Sequence, residues 1–230
     1  MPPIADAATR HALTLKWLHY NLLSALVSGV VSVLTYALRY LTDAPEGRAA
    51  AGMALLYFAV IVLSAFSGAV YGVLTGAVLQ RLVPALSSAR WVGLHAAMAV
   101  GAGLLAEMAI TGAADAPRSP DENPLADTLL IGLVFGAVCG TGMGALQALV
   151  LRRVALGSGT WMVWSAAAFT ASTLFVLLAS RLWDSAGGFA GEVTTDLLSI
   201  IGFVLGSIIM LPGLWALRSP MLSRAGRPFE

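Results

Sequence analysis

A chain of 230 residues in which 58% are hydrophobic and only 11% charged has too little polar surface to coat a water-soluble globule of its length. Its net charge of +1, with thirteen scattered Lys and Arg, excludes the clustered basic face of a nucleic-acid binder. One cysteine, Cys139, excludes an internal disulfide and any multi-cysteine metal site.

Crossing roughly 30 Å of hydrocarbon takes about 20 mostly apolar residues in a helix. Six such stretches are predicted, at residues 17–41, 52–79, 91–111, 128–151, 161–182 and 193–217. The expected organisation is an all-α polytopic membrane protein: a cytoplasmic N-terminal segment (1–16), a six-helix transmembrane domain (17–217) and a cytoplasmic C-terminal tail (218–230). The first apolar run exceeds the ~7 to 15 residues of a signal-peptide core, so it reads as a span.

In chain order, the first span carries a serine stripe, Ser24, Ser28 and Ser32, suited to hydrogen bonds along or between helices. The second carries Gly68, Gly72 and Gly76 beside Tyr71 and Thr75. The third opens on Trp91 and holds two ionisable residues, His95 and Glu107, which are functional candidates at membrane depth. Twelve residues separate them, about 18 Å along the axis, so no direct proton transfer is expected; a relay would need Gln147, Tyr71 or water.

The fourth span has Gly132, Gly136, Gly140 and Gly144 at intervals of four, with Thr141, Gly142 and Gln147 among them. That spacing keeps small residues near one helical face, where another backbone can approach. The run "GTGMG" is also a candidate hinge at Gly142, because irregular backbone in a membrane usually lines a cavity. Between the third and fourth spans, "DAPRSPDENPLAD" lacks calcium-loop spacing and reads as a solvated, proline-stiffened connection.

The fifth span opens on Trp161. The sixth begins near Glu192 and Asp196, whose charge suits a helix N-terminus with Thr194 or Thr195 as its cap, and holds Gly202, Gly206 and a candidate kink at Pro212. Trp17, Trp91, Trp161 and Trp215 sit where an interfacial aromatic belt is expected.

Alternating six spans puts nine basic residues on the side of the termini and four on the other, which also gathers ten of the twelve acidic residues. The positive-inside rule then places both termini in the cytoplasm of a bacterial-type inner membrane. "GAVYGVLTGA" (68–77) and "GAVCGTGMGA" (136–145) share six of ten positions at an offset of 68. With the tryptophans this suggests three tandem hairpins, pairing spans 1 with 2, 3 with 4 and 5 with 6, their glycine-rich even helices packed centrally.

The order G-x-x-x-G…Q…L-R-R…W, in Gly140, Gly144, Gln147, Leu151, Arg152, Arg153 and Trp161, resembles tandem elements of uncharacterised bacterial multi-pass membrane proteins. The resemblance implies no activity.

HExxH, GxSxG and GxxxxGK[ST] are absent, so the expectation is a non-enzymatic protein with no cofactor or metal, surrounded by lipid and able to meet other membrane proteins or its own copies. Translocation of a small solute or ion is the leading reading, through an interior drawing on Glu107, Gln147, Tyr71, Thr75, Thr141 and His95. An accessory or scaffold subunit of a larger membrane complex is the alternative.

Overall fold

The computed structural model describes residues 7–42, 49–114, 124–182 and 189–217. They form seven helices: α1 (Ala7–Thr42), α2 (Ala49–Leu82), α3 (Ser88–Ala114), α4 (Pro124–Leu151), α5 (Ser158–Leu182), α6 (Phe189–Ile209) and α7 (Leu211–Ala216). No strand occurs among the described residues. Five stretches are long and apolar enough to cross a membrane: Ala8–Leu38, Gly52–Leu82, Gly132–Leu151, Ser158–Ala179 and Leu197–Ala216, the last spanning α6 and α7. The described part of α3 is less apolar, since Arg90 and His95 offset its alanines and leucines.

Large apolar side chains face outward on every side. Phe58, Phe66, Leu130, Val138 and Val163 are all more than half exposed. A surface this apolar is stable against lipid and not against water. α1 starts at Ala7, ten residues before the expected first span, so part of the predicted N-terminal segment is helical and its Leu13 is buried in the core.

Helices adjacent in sequence lie side by side and α6 returns to α1, which makes a ring. The most extensive seams are α4–α5 and α2–α3, while α3 and α4 scarcely touch over their described residues. The expected pairing of spans 3 and 4 as a hairpin unit therefore has little contact behind it among the described residues. The ring also corrects the central placement of the even helices, whose glycine rows each face an odd helix. Gly68 and Gly72 meet α3, Gly132, Gly136, Gly140 and Gly144 meet α5, and Gly202 and Gly206 also meet α5.

At Gly68, Gly72, Gly136, Gly140 and Gly144 the facing backbone comes close, whereas Gly132 meets the Leu174 and Leu177 side chains. A Cβ on Gly72 would lie 2.7 Å from the Val92 Cα, and one on Gly144 would lie 2.9 Å from the Met162 carbonyl oxygen. Gly76 differs, with the Trp91 indole against it. α4 is continuous from Pro124 to Leu151, so the backbone is not unwound at Gly142, which points into open space. The α6–α7 break at Met210 does fall beside Pro212, the second residue of α7, where the missing amide leaves the helix one donor short. Gly213 lets α7 close on the Trp164 side chain.

The tightest packing lies at the end of the bundle where α1, α3 and α5 have their first turns and α2, α4 and α7 finish. Leu13, Trp17, Leu79, Val83, Trp91, Leu151, Trp161 and Leu214 form one cluster there. Two features shape the turns beneath it. The Gln80 side chain donates to the Leu86 carbonyl at 3.0 Å, and Gly157, at φ 85°, bends the α4–α5 connection against the Ala216 carbonyl.

Candidate functional site: a cavity closed by three tryptophans

Trp17, Trp91 and Trp161 are 1%, 0% and 1% exposed, which overturns their expected place in a lipid-facing belt. Trp161 stands edge-on to both others, with ring centroids 6.0 Å from Trp17 and 6.1 Å from Trp91. Such edge-to-face packing is a favoured aromatic geometry, and a buried indole N–H needs a partner. Each one finds it on another helix. Trp91 donates to the Thr75 hydroxyl at 3.1 Å, Trp161 to the Gln147 Oε1 at 2.8 Å, and Trp17 to the Ser207 carbonyl at 3.1 Å.

One turn beyond each tryptophan, on the same helical face, comes a buried polar residue: Asn21, His95 and Ser165. The Trp91 carbonyl can only accept, so the His95 Nδ1 at 2.8 Å must carry the proton. The Gln147 Oε1 takes both the Trp161 N–H and, at 3.2 Å, the Ser165 hydroxyl, which turns its NH2 toward the His95 Nε2, 3.0 Å away. His95 is therefore held as the neutral Nδ1–H tautomer, with Nε2 accepting. A chain of satisfied bonds ties α3, α4 and α5 together at the tryptophan end.

Above this network lies a partly open cavity of about 440 Å³, within the roughly 300–1,000 Å³ range of small-molecule sites. Its wall includes Trp17, Asn21, Tyr71, His95, Gln147, Ser165 and Ser207 at the polar end, then Met98, Met143, Phe169, Val176, Leu177 and Phe203. From Ser165 to Leu177 along α5 it extends about 18 Å at 1.5 Å per residue. No Asp, Glu, Lys or Arg lines it among the described residues.

At the polar end, Asn21 and Tyr71 keep hydrogen-bonding capacity. Asn21, 1% exposed, donates one N–H to the Trp17 carbonyl at 2.7 Å, and its Oδ1 meets no described partner. The Tyr71 ring rests against His95 at 4.9 Å and Phe203 at 5.6 Å, and its hydroxyl likewise meets no described partner. Among the described residues no fully buried polar side-chain atom is left without a bond, so these free groups are reachable from the cavity.

The site thus brings together Tyr71, His95 and Gln147 of the predicted polar interior. Thr75 is buried just outside the lining, accepting the Trp91 indole and donating to the Tyr71 carbonyl. Thr141 does not belong to it, being exposed on the outer face of α4. The side chains of Glu107, Asp196 and Glu192 and the whole 115–123 connection lie outside the described residues. Of the serine stripe, Ser28 meets the Ser67 hydroxyl at 2.7 Å, Ser24 returns to the Tyr20 carbonyl and Ser32 is exposed. Asn21, Ser165 and Ser207 were missed by sequence reasoning; a tryptophan followed four residues later by a polar side chain, in all three odd helices, was the signal for the first two.

Comparison with known protein families, with curated proteins and with solved structures finds no match.

Proposed function

We propose that the protein is a non-enzymatic carrier of the cytoplasmic membrane that binds an uncharged small solute in the central cavity and passes it across the bilayer. The observation that carries this reading is a cavity with free hydrogen-bonding groups and no lining charge among the described residues, whose polar end rests on the buried Trp17, Trp91 and Trp161. Placing a charged solute there would leave its charge uncompensated in an apolar surrounding, at a cost of several kcal/mol or more. With α3 as a sixth span, the nine-to-four distribution of basic residues supports a cytoplasmic position for both termini and, with them, the tryptophan seal. The α6–α7 break next to Ser207 and Met210 supplies the hinge that such a seal needs in order to open.

Ion translocation loses ground for the same reason, and so does a proton relay through His95, both of whose ring nitrogens are engaged. Reconstituted vesicles loaded with glycerol, glucose or a monoacylglycerol test the reading. At least one solute should equilibrate faster than in protein-free vesicles, with a rate altered by Trp161→Ala. Rates equal to those of protein-free vesicles for all three would overturn it.

A further inference from the structure

The same cavity has two ends of different chemistry and one weak wall. Its polar end offers an acceptor in the Asn21 Oδ1 and a hydroxyl in Tyr71, both uncommitted, next to the neutral His95. Its remaining length is mainly apolar, with Met98, Met143, Phe169 and Phe203 interrupted by hydroxyls such as the mutually bonded Ser28 and Ser67 and the Ser172 that donates to backbone carbonyls. The weak wall is the α3–α4 seam: Met98 on α3 and Met143 on α4 both line the cavity, yet these helices scarcely touch over their described residues. In the other five seams the described residues of the two helices meet far more extensively. Since the described outer faces of the bundle are largely apolar, a passage between these helices leads toward acyl chains and not toward water.

We infer that the ligand is an uncharged amphiphile already dissolved in the membrane, entering between α3 and α4. Its small hydroxyl-bearing head bonds to Asn21 and Tyr71, and its hydrocarbon lies along Met98, Met143 and Phe203. Methionine suits such a wall, because its unbranched, polarisable side chain repacks around chains of differing shape. An acyl chain is solvated equally well outside, so selection rests on the head. One neutral hydrogen bond is worth about three- to tenfold in affinity. A phosphate or ammonium head would find no counter-charge among the described lining residues.

The inference rests on the cavity being the binding chamber, as above, but not on transport. Its test uses the full chain in phosphatidylcholine nanodiscs with a monoacylglycerol carrying a diazirine in its acyl chain. Photolysis should label peptides containing Met98, Met143 or Phe203. Unlabelled monoacylglycerol should compete, and a lysophosphatidic acid of equal chain length should compete at least tenfold less well. Asn21→Ala and Tyr71→Phe should each weaken competition about three- to tenfold; the second removes a single hydroxyl, so it guards against misfolding of the first. Labelling confined to outward residues such as Phe58 and Phe66, indifference to both substitutions, equal competition by the anionic lipid, or a co-purifying protein cross-linked at Met98 and Met143 would each overturn the inference. Interior labelling without flux of any solute would remove the carrier and leave this site. Flux of glycerol or glucose without interior labelling would do the reverse.

Discussion

The side-chain amide of Gln147 on α4 donates to the Nε2 of His95 on α3 across 3.0 Å, and this bond bridges a seam where the described residues of the two helices otherwise hardly meet. The polarity of that bond is fixed from both ends, by the Trp161 indole on Oε1 and by the Trp91 carbonyl on the imidazole. Nitrogen NMR of the ring at pH 7 should therefore show a neutral histidine protonated at Nδ1. A histidine protonated at Nε2, or at both nitrogens, would contradict the bonding pattern.

Removing the glutamine should be costly because three groups lose their partner together. Gln147→Ala strands the Trp161 N–H, the Ser165 hydroxyl and the His95 Nε2, so a loss of about 1–3 kcal/mol is expected. Membrane hydrogen bonds often measure near the lower end of such ranges. Thr75→Val takes an acceptor from Trp91 alone and should cost about 1 kcal/mol. Thermal unfolding in detergent, compared with the parent, checks both values and their order.

The glycines divide into two kinds that one substitution separates. At Gly72 and Gly144 an added methyl meets backbone atoms of the facing helix, so alanine should cost about 1–3 kcal/mol through overpacking. At Gly93 and Gly142 nothing lies within 4 Å of the added atom, and alanine should stabilise by up to about 1 kcal/mol through helix propensity. The same unfolding measurement on all four variants checks the sign at each position. Stabilisation by Gly142→Ala would also agree with the continuous helix found there.

The apolar helices were legible because composition and run length dictate them. The role of the tryptophans was not: their spacing at the start of alternate spans fits a lipid belt as well as a buried triad, and only packing distinguishes the two. In the internal echo, identical glycines align at an offset of 68. Contacts follow an offset of 72 instead, which pairs Thr75 with Gln147 as indole acceptors, Gly72 with Gly144 as helix contacts and Leu79 with Leu151 as fully buried residues. The difference is about one helical turn, which preserves the face and hides the shift. Asn21 escaped notice because an amide in a first span carries no charge and no motif. Its significance comes from an oxygen left free in a cavity that six separate helices enclose.

The turn between α4 and α5 gives a further test. Gly157 has φ 85°, and a Cβ there would press on the Ala216 carbonyl oxygen of α7. Gly157→Ala should cost about 1–3 kcal/mol, from left-handed backbone strain together with the clash. Gly159→Ala, two residues on in open space, is the control and should be close to neutral. Equal effects of the two substitutions on thermal unfolding would show that the turn does not dock on α7.

The central claim is that a solute chamber ends at a seal made by Trp17, Trp91 and Trp161. Its most direct measurement is the reactivity of Ser67→Cys, a residue lining the cavity, in a Cys139→Ala background within sealed vesicles of known orientation. A membrane-impermeant thiol reagent should modify it from the outer face only, and from both faces once Trp161→Ala breaks the seal. A cysteine that stays unreactive from either face in both proteins, or that reacts from both faces with all three tryptophans in place, would contradict the account.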